Sequence, residues 1–250
     1  MHPMTEHHLR DADPAEDKRV FRQDYGDLAA NYDHLRFSGS KGAFNTRADA
    51  CVIDDLVDAA GASLVLDVPT GTGRIYDYLR HRDLQIIGCD LTPEMLEKAA
   101  ARRTQKRPLL IRGDASDLPF PSGTVECITC LRFFHLIPHE SRRMIATELS
   151  RVLQPGGHII CSFTNGWYGG GLNWAKRWAG KPLHFLAPGE VTSLFPRFRV
   201  RAVHGNFWPL QRYSSNLGPA VESFSFRLNR RFPFNRICWE VFYLLQKPAA

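Results

Sequence analysis

Four polar residues punctuate the apolar runs of this chain. Asp67, Asp90, Asp114 and His135 each stand at or just after the end of a short apolar segment. Beyond the first of them the chain turns through Pro69-Thr70-Gly71-Thr72-Gly73 and enters Arg74-Ile75-Tyr76-Asp77-Tyr78-Leu79, which can continue as a helix. A strand, a glycine turn and a helix present backbone N–H groups to a ligand and place no side chain in its way. Asp90, at the end of the next apolar run, is positioned to accept two hydrogen bonds from a ribose diol, as the acid after the glycine turn does in dinucleotide folds. NAD is the rival ligand for that geometry. The stretch from Gly71 to Tyr76 lacks the third glycine of the dinucleotide fingerprint, so no pyrophosphate needs to be held. His135, with an unperturbed pKa near 6.5, suits proton transfer.

The elements that must hold these residues follow from periodicity. Phe21, Tyr25, Leu28, Ala29 and Tyr32 recur at helical spacing, which predicts an amphipathic helix over 20–35. A flexible connection over 37–42 is expected next. Asn45 or Thr46 can cap a second helix that runs to about residue 60 and stops at Gly61. Strands are expected over 64–68, 84–89, 109–112, 125–131 and 158–163. Helices alternate with them over 74–81, 93–103 and 138–153, the second started by Thr92-Pro93-Glu94. Such alternation implies an α/β fold, a mostly parallel sheet with helices on both faces, whose ligands bind at the carboxyl ends of the strands.

After residue 165 the pattern changes. Residues 165–190 hold Trp167, Trp174 and Trp178, three consecutive glycines and the bases Lys176, Arg177 and Lys181. This reads as an insertion after the fifth strand, a lid with one short helix. Strands are expected again over 198–203 and 237–246. Residues 1–17, rich in charge and histidine, read as a solvated, disordered tail. The rest, 18–250, is one domain, with its ligand-binding core in 45–165 and substrate or lid elements in 166–235.

Of the 250 residues, 44% are hydrophobic and 23% charged, an ordinary globular composition. No apolar run reaches the length of a spanning helix, and no secretory core is visible. Cys127 and Cys130 have C-x-x-C spacing but fall inside an apolar run with no second ligand pair, so they are expected to be core residues rather than a metal or redox site. No metal is expected, and a reduced, cytoplasmic setting fits. The net charge of +6 is concentrated: from Arg197 to Arg236 there are eight arginines, no lysine and a single acid, Glu222. That segment can meet an anionic substrate, a membrane surface or nucleic acid, or be no more than a solvated face. Leu172, Ala175 and Trp178, beside Lys176 and Arg177, can form an interfacial anchor for a lipid-like acceptor.

Taken together, four segments resemble those of the class I S-adenosylmethionine-dependent methyltransferases, in the branch that includes quinone-biosynthetic and small-molecule enzymes. They are residues 65–73, Asp90, Gly113-Asp114-Ala115 with Leu118-Pro119-Phe120, and Glu148-Leu149-x-Arg151-Val152-Leu153-x-Pro155-Gly156-Gly157. The resemblance covers about 45–165. It implies a Rossmann-like sheet of seven strands with a helical N-terminal cover. It also implies S-adenosylmethionine as cofactor and methyl transfer to O, N or C of a small organic acceptor, lipid-like or anionic, with no stable nucleic-acid partner. Gly71 and Gly73 would lie against the methionine part, Asp67 would help hold its amino group and Arg47, if not a plain surface arginine, would reach its carboxylate. Asp90, with Leu91 beside it, would hold the ribose. Asp114 and the Ala115 N–H would meet the adenine, and Leu131 and Arg132 would line the cofactor. His135 is the expected base; Tyr25, Tyr32 and Trp167, with His184, His204 and Tyr213, are candidates for the acceptor pocket. An RNA methyltransferase using the arginine-rich third and a non-catalytic binding protein are the alternatives. One departure stands out: the family usually has glycine where Pro69 stands. Proline removes an N–H and forbids positive φ there.

Overall fold

The apolar runs pair as seven strands: β1 (Leu64–Asp67), β2 (Gln85–Asp90), β3 (Leu109–Arg112), β4 (Val125–Cys130), β5 (Leu153–Thr164), β6 (Arg199–Asn206) and β7 (Glu240–Gln246). Their order is β3-β2-β1-β4-β5-β7-β6. Neighbours from β3 to β5 run parallel, and β7 runs antiparallel to both β5 and β6. This computed structural model describes residues 14–102, 108–165, 186, 188–206 and 238–249, together with 224, 227–228, 230–231 and 235.

The sheet is mostly parallel because its strands can be covered on both sides. Along β1, β4 and β5 successive residues go to opposite faces. Leu66, Ile128, Ile159 and Cys161 pack on one face against Ile145, Ala146 and Leu149 of α6 (His139–Val152). Val65, Cys127 and Ile160 pack on the other, against Val52, Ile53 and Leu56 of α3 (Gly39–Ala60) and Tyr78 of α4 (Arg74–Tyr78). Strands buried on both faces read as unbroken apolar runs, which is how these appeared in the sequence. Cys127 and Cys130 are core residues of β4, and burial pushes the Cys127 thiol up to about 12. α5 (Pro93–Ala100) and α7 (Pro188–Leu194) complete the helical layers. Among the described residues no helix is long and apolar enough to cross a membrane.

Several boundaries differ from expectation. The first helix is two: α1 (Pro14–Ala29) and α2 (Tyr32–Phe37), broken at Asn31, which stands at the N-cap of α2. Residues 14–17, expected to belong to a disordered tail, are therefore the first turn of α1. The expected connection over 37–42 is mostly helix, since α3 starts at Gly39 despite two glycines in its first turns; a Cβ at Gly42 would fall 2.1 Å from the Phe37 backbone, so glycine lets the turns of chain meet there. α3 ends as expected at Gly61, left-handed with φ 62°. β5 begins at Leu153 rather than 158: the Pro155-Gly156-Gly157 stretch is a bulge in the strand, where the register on β4 shifts between Val125 and Cys127. Asn165, just after the end of β5, and Leu186 form an isolated parallel bridge.

Candidate active site

Strand ends converge at one edge of the sheet. Asp67 ends β1, Asp90 ends β2, and Leu131 and Arg132 follow β4. Because β7 is antiparallel, its first residue, Glu240, lies at the same edge, opposite Thr164 of β5 and Asn206 of β6. A cavity of about 130 Å³ opens there under the cover formed by α1 and α2. It has two ends of different chemistry.

One end is the glycine turn. Pro69, Thr70, Gly71 and Thr72 line it with Asp67, Asp90, Met95 and Leu131. The Val68 N–H bonds Thr129 O on β4, and the Thr70 N–H bonds Cys89 O on β2, each at 2.9 Å. The main-chain ladder thus passes over residue 69, and the donor that Pro69 lacks is not called on; the Val68–Pro69 peptide is cis. Gly71 has φ 52°, and a Cβ there would meet no atom within 4 Å, so the turn leaves open space above it. Gly73, at φ 76°, does something else. A Cβ on it would fall 2.8 Å from the Ala99 Cβ, so this glycine lets α5 approach the turn, and it is not among the cavity's lining residues.

Two buried carboxyls face this end. Asp90 accepts the Gly71 N–H through Oδ2 at 2.7 Å and the Thr92 N–H through Oδ1 at 2.9 Å. Burial raises its pKa, and the N–H bonds work in the opposite direction. Its first task is thus to shape the turn, with lone pairs left over for a ligand. Asp67 accepts the Thr129 hydroxyl at 2.6 Å, and burial pushes its pKa up to about 7.

At the other end the cavity is aromatic with a charged floor. Tyr25 and Tyr32 come from the cover, with ring centroids 6.2 Å apart, and Phe37 stands 6.2 Å beyond Tyr32. The Arg74 guanidinium lies over the Phe37 ring, 3.1 Å from its centroid, a cation–π contact. The floor is Arg132, Asp49 and Glu240, all lining the cavity. Arg132 has φ 54°, a left-handed conformation unusual for a side-chain-bearing residue. Its Nε–H is shared by both Glu240 oxygens at 2.8 and 2.9 Å, and Nη2 reaches Glu240 at 2.6 Å and Asp49 at 2.8 Å. The Ser162 hydroxyl adds a bond to Glu240 at 2.7 Å, and the Asn206 amide adds one to Asp49 at 2.8 Å. Asp49 and Glu240 are each 3% exposed. Burial pushes Asp49 up to about 7, against Arg132 and Asn206. Burial acts on Glu240 too, but Arg132 and Ser162 outweigh it and hold that carboxyl below its ordinary value.

The expected site residues are thus distributed unevenly. Asp67, Gly71, Asp90, Leu131, Tyr25 and Tyr32 meet at the cavity. Leu91, Asp114 and Ala115 do not line it. Asp114 caps its own turn, accepting the Ser116 N–H and hydroxyl at 2.8 Å each, and the Gly113 N–H bond to Asp90 O keeps that turn beside β2. Arg47 is exposed on α3; the arginine at that end of the cavity is Arg74. Arg132 lines the cavity as expected, but its guanidinium serves the two acids. His135 sits half-buried on a 3-10 turn (Phe134–Leu136) that gives Leu136, together with the preceding Phe133, to the cavity; the histidine is near enough to Glu240 to favour its ionised form. His204 lies beside Arg230 and Asn235 in a separate depression, where burial and Arg230 push its pKa down to about 4. Trp167, His184 and Tyr213 lie outside the described residues. Asp49, Glu240 and Asn206 were not anticipated. The signal was there: Asp49 shares a helical stripe with Val52, Ile53 and Leu56, and Glu240 opens the otherwise apolar run 241–245.

Residues 66–161 match a family described as "Methyltransferase domain". This segment, which runs from β1 into β5, is similar to the class I S-adenosylmethionine-dependent methyltransferases. The chain is 36% identical over 113 residues to demethylmenaquinone methyltransferase of Thermobifida fusca (44% of this chain, 47% of that protein). It is 33% identical over 141 residues to demethylmenaquinone methyltransferase of Deinococcus radiodurans (54% and 56%). The chain spans about half the length of these curated relatives. The structure of a methyltransferase from Thermotoga maritima, titled a possible histamine N-methyltransferase, superposes with a TM-score of 0.64 at 15% identity, covering 89% of this chain and 98% of that one. This likeness is one of fold. S-adenosylmethionine is the cofactor of such a methyltransferase, and the glycine-turn end fits it. The space over Gly71 is open, and Asp67 offers a buried carboxyl whose side-chain partner is a neutral hydroxyl, suited to a cationic amine.

Proposed function

We propose that the protein methylates a small, planar, largely apolar acceptor of the quinol type, taking the methyl group from S-adenosylmethionine. The observation that carries this reading is the continuity of one cavity between the glycine turn and the aromatic end. The names of the curated relatives, demethylmenaquinone methyltransferases, support the same acceptor class.

The bound cofactor supplies a methyl group already activated by its sulfonium. What the chain adds is alignment and exclusion of water, which can account for much of the rate. Asp67 binds the amino group and the open face of Gly71 admits the methionine part. Asp90, fixed by Gly71 and Thr92, accepts from the ribose with its remaining lone pairs. Tyr25, Tyr32 and Phe37 hold a flat acceptor against this end. Calorimetry with S-adenosylmethionine tests the first half. Mass spectrometry for labelled methyl incorporation into a metabolite extract tests the second. Absence of cofactor binding sinks the reading.

A further inference from the structure

The floor of the aromatic end has two carboxyls and one guanidinium between them, and the two are not held equally. Glu240 receives Arg132 through Nε and Nη2 and also the Ser162 hydroxyl. Asp49 receives one Arg132 contact and one neutral amide, from Asn206. Arg132 is the guanidinium bonded to both; Arg74 acts on Asp49 only through space, its own hydrogen bond going to Thr46, so Asp49 keeps a surplus of negative charge in a site it cannot escape, since both carboxyls are buried. Proton uptake relieves that surplus, and the carboxyl with fewer donors is the one that takes it.

Building on the methyl-transfer reading, we propose that Asp49 accepts the proton that the acceptor loses, and that the acceptor is a phenol or hydroquinone. The acceptor's O–H bond breaks and its proton bonds to an Asp49 oxygen. The freed electron pair, on oxygen or on the ring carbon conjugated to it, bonds to the methyl carbon; in the carbon case that carbon's own proton then leaves for solvent and the ring oxygen takes one back, which restores the aromatic ring. The methyl–sulfur bond breaks with its pair staying on sulfur, which becomes neutral. Asp49 then returns the proton to solvent. The groups around Asp49 suit this exchange. Arg132 after β4, Glu240 on β7, Arg74 and Tyr78 on α4 and Asn206 on β6 surround it, and none of them but Asp49 and Glu240 offers a carboxylate. Tyr78 stays a phenol, because burial and Asp49 both raise its pKa. With Asp49 pushed up to about 7, it is ionised at the upper end of the neutral range and releases the proton without difficulty.

The test uses the full chain and three readouts. In carbon-13 NMR of the cofactor-free protein, side-chain carboxyls should titrate near neutrality, and Asp49→Asn should remove one of them while leaving that of Asp67. Turnover on a hydroquinone probe should rise with pH through about 7 in the native chain. Asp49→Asn should lower it at least about 100-fold with cofactor affinity by calorimetry nearly unchanged. Asn206→Ala, which removes one donor from Asp49, should move the titration and the rising limb together to higher pH. A carboxyl at 49 that stays ionised to about pH 4 overturns the proposal. So does an Asp49→Asn chain that keeps full turnover. Failure of the native chain to bind S-adenosylmethionine would instead remove the methyl-transfer reading, and the carboxyl titration would still decide the place of Asp49.

Discussion

The Thr72 hydroxyl donates to Asp33 Oδ1 at 2.7 Å, so the helical cover is tied to the glycine turn it covers. Arg102 reinforces the tie. It reaches Asp33 Oδ2 at 2.6 Å and also bonds the Thr72 carbonyl and Asp77. Asp33 is on α2, next to Tyr32 of the cavity wall. Opening the cover therefore means breaking a charge-assisted contact. Asp33→Ala should loosen the cover by about 1 kcal/mol, which corresponds to cofactor dissociation roughly fivefold faster. Stopped-flow measurement of cofactor release checks this, and limited proteolysis around residue 30 should quicken in parallel. Unchanged release would mean the cover does not gate the cofactor.

The two glycines of the turn should fail in different ways when replaced. Gly73→Ala places a Cβ 2.8 Å from that of Ala99 at positive φ, so it should cost about 2–4 kcal/mol of stability, read in urea melts. Gly71→Ala meets nothing, and its positive φ alone costs about 1–2 kcal/mol. Its main effect should be on cofactor affinity, because the methyl group would occupy the space the ligand uses. Equal stability losses would contradict this division.

With Asp67 as the proposed holder of the amino group, stability and binding should depend on pH in opposite ways. The folded pKa of Asp67, about 7, lies above the ordinary 3.8, so the folded chain holds this proton more tightly than the unfolded one. Stability should then fall as pH rises from about 4 to about 7 and level off above, with Asp49 contributing in the same direction. Melting temperatures across that range should show the slope, and Asp67→Asn should reduce it. Cofactor binding through the Asp67 carboxylate should behave the other way, tightening toward pH 8 and releasing a proton below about 7. Calorimetry in buffers of different ionisation enthalpy measures that proton.

Asp90→Ala removes the acceptor of two backbone N–H groups as well as the proposed ribose ligand. It should weaken cofactor binding at least about tenfold and also lower the melting temperature, because the Gly71 and Thr92 N–H groups lose a charged partner. Binding isotherms and thermal melts on one preparation separate the two effects. A loss of affinity without loss of stability would show that the turn keeps its shape unaided.

The sequence made the sheet legible because its central strands β1, β4 and β5 are buried on both faces and read as apolar runs. Asp67, Gly71 and Asp90 line the cavity together, and the sequence placed them at neighbouring strand ends and the turn between. What it concealed depends on distant pairing. Arg132 and Glu240 meet across 108 positions, and Asn206 and Asp49 across 157. No local pattern announces such partners, although an acid on an apolar stripe is a sign that one exists. The roles of Gly73 and Pro69 were hidden for a related reason, since they depend on Ala99 in α5 and on the ladders to β2 and β4. The arginine-rich segment stays mostly outside the described residues; six of its eight arginines are described, and all six are exposed.

β7 wedges between β5 and β6 and brings Glu240 to the cavity floor. In the order of synthesis, every other wall of the cavity leaves the ribosome before it. Until β7 has emerged, Arg132 has Asp49 as its one acidic partner in the floor, β5 and β6 have no strand between them, and Phe242 is missing from the lining. A nascent chain can therefore build the glycine turn early and acquire its acceptor chemistry only at the end. A product that stopped short of residue 240 would carry the cofactor motif without the second buried carboxyl, and Arg132 would be left to Asp49 alone.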